Sequence, residues 1–388
     1  MQTTADLEDT LQWCRELIED RTFGQVRAWK DAHPDRKAAG IFPVYSPAEL
    51  PYAFGMLPVG LFGGGNRIEI AHADSRFQSF VCSIVKSTLE LGLIGNLGPF
   101  DVLMFSSICD SARNLSSVME RNFPHQRIIY LHFPQNPASP KAVEYLYQEY
   151  RRVVSVLEEV SGRPYSPEAL ARAIELYNGV RDAVATLYKL RRERPHVVSA
   201  VESYLLARAA TLMEPEEYVR LIQTILPEIE ARNLKPRDRI RVVLEGAFCE
   251  QPPVEFIESL EEAGCYILND DLLLGWRWFR SPVRVDGDPL RNLAEAYVHG
   301  SVFSSVKHDP REPRAKHLLD EIEATGAQAA VLVSAKFCEP ALFDYALFRK
   351  ALEEREIPHL FLEFEEKAWV FDKARTEIET FVESMLFD

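Results

Sequence analysis

A chain of 388 residues with 47% hydrophobic and 27% charged residues has the composition of a folded globular protein, and at roughly 150 residues per domain it holds two or three domains. Its 44 basic and 59 acidic residues leave a net charge of −15, a surface that repels phosphate backbones and anionic lipid, which excludes nucleic acid and membrane as partners. No apolar run reaches the roughly 18 residues of a spanning helix. The first 30 residues carry Asp6, Glu8, Asp9, Glu16, Glu19 and Asp20 with no apolar core of a leader, so the expectation is a cytoplasmic protein. In that reducing setting the six cysteines are buried thiols, redox groups or metal ligands.

Residues 1–36 read as helix, with Leu7, Leu11, Cys14 and Leu17 at helical spacing. A strand follows over 38–44. Tyr45-Ser46-Pro47 then opens a short helix with Ser46 as N-cap, Pro47 at the first helical position and Glu49 in the cap turn. A strand at 57–61 is closed by Gly63-Gly64-Gly65. An amphipathic helix covers 76–92, with Cys82 near its start. The apolar run 101–105 is a strand of a parallel sheet covered on both faces, followed by a helix at 110–122 and a strand at 127–131. From Pro140 to about Arg232 the pattern is helical: 140–161, 167–194, 196–212 and 215–231. The alternation resumes with a strand at 240–244, helix 254–263 and strand 266–269. After an irregular stretch over 270–290 come helix 311–325, strand 329–333, helix 340–355, strand 359–362 and a terminal helix 366–386. This predicts an α/β protein of two doubly wound parallel-sheet lobes, flavodoxin- or Rossmann-like. The expected boundaries are 1–139 for the first lobe with its leading helix, 140–235 for a helical linker domain and 236–388 for the second lobe. The halves share an order of elements without a sequence repeat.

Cys109 follows the strand 101–105, and Cys338 follows the strand 329–333 in Ser334-Ala335-Lys336-Phe337-Cys338-Glu339-Pro340. Both are expected at the carboxyl end of a parallel strand, where open α/β sheets place their ligands. Both also precede a helix, whose dipole favours a thiolate. No C-x2-C pair is present, so zinc-ribbon and ferredoxin motifs are absent and dispersed thiols meet only through the fold. Inert buried thiols are the competing reading. Cys249 also follows a strand, in Gly246-Ala247-Phe248-Cys249-Glu250-Gln251-Pro252-Pro253; Cys265 begins one; Cys14 lies on an apolar helix face and reads as core. Neither G-x-x-x-x-G-K-[ST] nor G-x-G-x-x-G occurs, so no ATP site is expected in this chain.

Taken together, the order of these pieces resembles the family of 2-hydroxyacyl-CoA dehydratase and ATP-dependent benzoyl-CoA reductase subunits. The matching pieces are Ser46-Pro47-Ala48-Glu49-Leu50 after a strand, the Cys82 helix, Cys109-Asp110, Gly246 with the later Asn269-Asp270-Asp271, and Lys336 to Pro340 leading into Ile357-Pro358-His359-Leu360-Phe361-Leu362-Glu363. The resemblance implies a [4Fe-4S] cluster on Cys82, Cys109 and Cys338, with one iron left open to water, sulfide or a thioester carbonyl. Soft thiolates suit such a cluster. Length and the Cys249 to Pro253 stretch are most similar to the smaller core subunit of the reductase branch. That branch implies reduction of the ring of benzoyl-CoA to a cyclic dienoyl-CoA with electrons from reduced ferredoxin. Its implied partners are a paralogous catalytic subunit and separate ATP-hydrolysing activator subunits. Two alternatives remain: a dehydratase subunit that eliminates water from a 2-hydroxyacyl-CoA through a ketyl radical, or a non-catalytic electron-transfer subunit. The latter would carry a double-cubane [8Fe-9S] cluster, drawing Cys249 and Cys265 with Cys14 into a second trio. Where double-cubane members tend to have a cysteine after the paired aspartates, this chain has Leu272.

Other positions carry two readings each. Ser46 and Glu49, as family-like positions, contact substrate or relay a proton, or simply cap a helix. Lys336 stabilises a charged cluster or thioester oxyanion, or is solvated. His132 delivers protons or is a rim histidine. Gly63-Gly64-Gly65 lets the backbone approach a ligand or makes a tight turn. Trp276 and Trp278 pack on a partner or an aromatic substrate, or in the core.

Overall fold

The computed structural model describes residues 7–246, 249, 251–272, 281–301, 304–308, 312–364 and 372–387. In chain order the first part runs α1 (Leu7–Glu19), α2 (Gly24–Ala32), β1 (Ala38–Ile41), α3 (Glu49–Ala53), β2 (Leu57–Gly60), α4 (Ser83–Leu93), β3 (Val102–Ser106), α5 (Asp110–Asn122) and β4 (Arg127–Leu131). Four helices follow: α6 (Ala142–Ser161), α7 (Pro167–Glu193), α8 (Ala200–Ala209) and α9 (Pro215–Glu230). The last part runs β5 (Ile240–Gly246), α10 (Val254–Glu262), β6 (Cys265–Asp270), α11 (Pro289–Glu295), α12 (Lys316–Thr325), β7 (Ala329–Ala335), α13 (Glu339–Glu354), β8 (His359–Phe364) and α14 (Asp372–Phe387).

The strands form two four-stranded sheets, β2-β1-β3-β4 and β6-β5-β7-β8, and every pair is parallel. This is the expected α/β architecture with two doubly wound lobes, and the two sheets have the same order. β1, β2, β3, β6 and β7 are buried along their whole length, as strands covered on both faces must be. In each sheet the order reverses between the first and third strands, which opens a crevice at their carboxyl ends.

Between the sheets in sequence lie α6 to α9. The long helix α7 begins on Ser166, whose side chain accepts from the Ala169 N–H, with Pro167 in the first turn. It carries two buried arginines. Arg181 pairs with Glu49 of α3. Arg191 pairs with Asp270 at the end of β6 at 2.8 Å, and Tyr188 donates to the same carboxylate at 2.9 Å. One helix therefore holds a carboxylate from each lobe. Removing one partner of such a buried pair strands a charge, which costs about 3–5 kcal/mol.

Three local readings differ from the structure. The expected helix over 1–36 is two helices. The Asp20 carboxylate accepts from Thr22 N at 2.7 Å and Gly24 N at 2.7 Å, and Phe23 takes a left-handed φ of 54°, so side chain and backbone together close a turn where the helix would continue. The expected helix over 76–92 begins only at Ser83. Buried Glu90 accepts from His72 N at 2.9 Å and Ala73 N at 2.8 Å, which pins the incoming segment beside α4. In the stretch read as irregular or left unassigned, α11 starts on Asp288, which accepts from Leu290 N and Arg291 N, with Pro289 next; a π-turn over Ala296–Gly300 extends it. Trp276 and Trp278 lie outside the described residues. Among the described residues no helix is long and apolar enough to cross a membrane.

Candidate metal centre

β3 runs into Ser107-Ile108-Cys109, and α5 starts at once with Cys109 as its N-cap. β7 runs into Lys336-Phe337-Cys338, and Cys338 is the N-cap of α13. The third strand of each sheet thus hands over to a helix through a cysteine. Cys82 is the N-cap of α4, so it stands ahead of the helix and not within it as the periodicity of 76–92 implied. All three are half-buried. An N-cap places its side chain beside N–H groups that the helix itself cannot satisfy, a position that favours an anionic sulfur. The Cys109 Sγ accepts from Ala112 N at 3.4 Å.

These three cysteines line one cavity of about 1020 Å3, and Cys249, from the loop after β5, lines it too. Phe42, Ile84 and Ile108 supply apolar wall, and Asp110 and Glu339 stand beside the thiols. Burial pushes the Cys109 thiol up, against the Ala112 and Ser111 N–H groups that pull it down, and Asp110 and Glu339 push it further up. The balance is opposite to the expectation from the helix dipole alone: desolvation outweighs the helix terminus. A metal binding there has to displace a proton. Among the described residues, no group of three or more His, Cys, Asp or Glu side chains is arranged to hold a metal ion.

Cys265 and Cys14 are elsewhere. Cys265 begins β6, so the polarity of a parallel strand sets it at the amino end of the sheet, fully buried, and burial pushes its thiol up to about 12. Cys14 is buried in α1, with its thiol also pushed up to about 12 by burial. Neither lines the cavity; the structure does not bring Cys249, Cys265 and Cys14 together as a second trio.

Ser46 does not cap α3: the helix begins at Glu49, with Ala48 in the cap position and no side-chain cap bond. Ser46 and Glu49 instead line a second, smaller cavity of about 90 Å3, with Tyr45, Tyr150, Tyr177 and Arg181. Ser46 is 2% exposed, and its Oγ has no hydrogen-bond partner among the described residues. Burial pushes the Tyr150 and Tyr177 hydroxyls well above their usual range, and Glu49 adds to it. Lys336 is half-buried, its ammonium 5.3 Å from the centre of the Phe337 ring, and it does not line the cysteine cavity. His132 is exposed at the end of β4. Gly63 has a φ of 68°, and a Cβ there would lie 2.4 Å from Ser87 Oγ of α4; the close approach it permits is to the chain's own helix. Sequence reasoning missed Tyr45 and Arg181 of this smaller cavity, whose positions depend on contacts between distant segments.

The fold and the thiols define a two-lobed α/β protein whose equivalent strand ends converge on a cysteine-lined cavity. Residues 43–385 match the family described as 2-hydroxyglutaryl-CoA dehydratase, D-component, and the chain belongs to that family. It is 35% identical over 378 residues to one of the subunits of benzoyl-CoA reductase from Thauera aromatica, covering 97% of this chain and 98% of that one. It is 31% identical to the beta subunit of lactoyl-CoA dehydratase from Anaerotignum propionicum, covering 91% and 93%. To the beta subunit of (R)-2-hydroxyglutaryl-CoA dehydratase from Acidaminococcus fermentans it is 28% identical, covering 90% and 93%.

Proposed function

We propose that this chain is the iron–sulfur-bearing smaller core subunit of a benzoyl-CoA reductase, an oxidoreductase that reduces the ring of benzoyl-CoA to a cyclic dienoyl-CoA. The observation that carries this is the delivery of Cys82, Cys109 and Cys338, each as a helix N-cap, to one cavity. Family membership and the higher identity to the reductase subunit than to either dehydratase subunit support it. Thiol donors spaced around a roomy cavity do not meet on one ion; they fit a polynuclear cluster, for which soft thiolates are the favoured ligands. Cys82, Cys109 and Cys338 would hold a [4Fe-4S] cluster, which supplies low-potential electron transfer when bound. Cys249 is on the same wall and is the remaining donor for a larger cluster.

The chain's own residues do the rest. Helix N-termini at each cysteine offset negative charge on the sulfurs. Phe42, Ile84 and Ile108 lower the dielectric on their part of the cavity wall, which tunes a bound redox group. Lys336 acts through the loop that presents Cys338. Ser46 and Glu49 line the smaller cavity and not the cysteine-lined one, so they take no part in holding the cluster. The partners in this reading are a paralogous catalytic subunit, ATP-hydrolysing activator subunits, ferredoxin and benzoyl-CoA, in the cytoplasm of an anaerobically growing cell.

The test is iron and acid-labile sulfide per chain after anaerobic purification of the hetero-oligomer, with product analysis. About four irons per chain and a cyclic dienoyl-CoA are expected. Water elimination to an enoyl-CoA would replace the reductase reading by the dehydratase one. About eight irons would indicate the double-cubane cluster, and no iron would overturn the proposal.

A further inference from the structure

The carboxyl end of β2 gathers two arginines that no carboxylate answers. Arg21, after α1, and Arg208, in α8, line a third, enclosed cavity of about 20 Å3 with Gly60, Phe62 and Gly63. Arg208 is 6% exposed. Its guanidinium lies 5.2 Å from the centre of the Phe62 ring and 5.6 Å from that of Tyr204, and it donates to the Tyr204 hydroxyl at 3.1 Å. These contacts hold the cation without neutralising it, and its buried Nε has no partner among the described residues. Arg21 donates only to backbone carbonyls, that of Gly64 at 2.8 Å and that of Ile18. Burial and the charge of Arg208 pull Arg21 down to about 10, which still leaves it a cation at neutral pH. The acids nearby are engaged elsewhere. Glu19 pairs with Arg67 at 2.5 Å. Asp20 lines the cavity, but its oxygens accept from Thr22 N, the Thr22 hydroxyl and Gly24 N to close the turn after α1.

The backbone adds a second set of donors. φ is 68° at Gly63, −87° at Gly64 and 54° at Gly65. Such alternation of hand turns successive N–H groups towards one concave side, an arrangement that binds anions. None of these three N–H groups has a hydrogen-bond partner among the described residues. Gly63 and Gly64 are buried, where an unmet N–H is rare.

We propose that this cavity is a binding site for a small monovalent anion of halide size, held between the Arg21 and Arg208 guanidiniums and the N–H groups of the Gly63-Gly64-Gly65 turn. A cation taken out of water is costly until it is paired, and arginine does not escape by losing its proton. One anion meets both the unpaired charge and the open N–H groups. Space sets its size: about 20 Å3 admits about one water-sized body, which leaves out a phosphate ester or an acyl thioester. The anion joins α1, α8 and the glycine turn. Gly63 lies against Ile84 and Ser87 of α4, and Cys82 caps that helix, so the anion fastens the seat on which α4 rests. The site stands whatever reaction the cysteine-lined cavity serves.

The experiment compares the protein, purified with its partners, in bromide and in gluconate at equal ionic strength and pH. Amide hydrogen exchange is read over residues 60–65. Bromide should slow exchange of the glycine amides along a saturating curve, by about 10-fold at ten times its dissociation constant, and bulky gluconate should not. Anomalous diffraction from crystals held in bromide should place one ion between Arg21 and Arg208. In Arg208→Gln the exchange should no longer respond to bromide, and in Arg21→Gln the response should need a higher bromide concentration. Equal exchange in the two salts, with water alone in the cavity, would overturn the proposal. A bromide peak without any change in exchange would mean an adventitious ion only and would overturn it as well. Should Arg208→Gln fail to fold, the half-buried Arg21 decides: an undiminished bromide response in Arg21→Gln would show that the arginines do not hold the ion.

Discussion

The two lobes have the same strand order but end their strands differently. β3 and β7, the third strand of each, both finish at a cysteine that caps the next helix. β1 and β5, the first strands, diverge. β1 leads to Tyr45 and Ser46 beside the smaller cavity, whereas β5 leads through Gly246 to Cys249 on the wall of the large one. Gly246 has a φ of 113°, and a Cβ there would lie 2.0 Å from the Val333 carbonyl oxygen of β7. Topology sets where a side chain emerges, and residue type sets the chemistry it brings. One lobe offers hydroxyls and phenols at the position where the other offers a thiol.

If Cys109 and Cys338 are equivalent in role as they are in place, their loss should be equivalent as well. Cys109→Ala and Cys338→Ala are each expected to strip most of the iron and to lower turnover by more than the roughly 10- to 100-fold cost of losing a supporting residue. Iron analysis of this chain, separated from its partners, checks this. Full iron in one variant and none in the other would break the equivalence of the lobes at the centre.

The next effect concerns α7, which holds one buried carboxylate of each lobe. Asp270→Ala leaves Arg191 unpaired, and Glu49→Ala leaves Arg181 unpaired. Each should destabilise by about 3–5 kcal/mol, read from urea or thermal unfolding. Asp270 also accepts from Tyr188 at 2.9 Å, so its loss should be the larger of the two. An Asp270 variant as stable as the unaltered protein would mean that α7 anchors only the first lobe.

Gly246→Ala should follow, at about 1–3 kcal/mol for the strained backbone alone, with a further cost where Val333 has to move. The same change at Gly63 meets a side-chain hydroxyl of Ser87, which has more freedom to yield, so Gly246→Ala should be the more damaging. Unfolding midpoints of the two variants decide the order.

Much of the fold was legible because its central strands are short, apolar and buried. The expected helix at 110–122 and strand at 127–131 match α5 and β4 residue for residue. Misreadings came where one distant side chain captured the backbone. Phe77, Phe80 and Val81 have helical spacing, but Glu90 holds the residues before them, and the three line the cysteine cavity instead of a helix face. Ser46 lost its capping role because α3 starts three residues later, at Glu49. For the centre, the positions of Cys109 and Cys338 followed from the rule that ligands gather at the carboxyl ends of parallel strands. The same rule separates Cys249 from Cys265: one follows a strand and reaches the cavity, the other begins a strand and is carried to the far end. The smaller cavity was not legible, since it unites Tyr45, Arg181 and Tyr297 from three separate segments.

The smallest expected effect tests that separation of thiols without any metal. In the cluster-free chain at pH 8, an alkylating reagent should label Cys82, Cys249 and Cys338, which are half-buried on the cavity wall, and spare Cys14 and Cys265. Burial raises the latter two thiols from 9.0 to about 12, so few of them are thiolate at that pH, and the thiolate is the reactive form. The same shift has a consequence for stability. Both thiols stay protonated in the folded chain while those of the unfolded chain ionise. Their contribution is therefore complete below about pH 9 and is lost as pH rises from there towards 12. Cys265→Ala should flatten that alkaline decline relative to the unaltered protein in unfolding experiments across this range. Rapid native labelling of Cys265 would place it within reach of solvent and return it to the candidates for the centre; its protection, with Cys249 labelled, keeps the two ends of the second sheet chemically distinct.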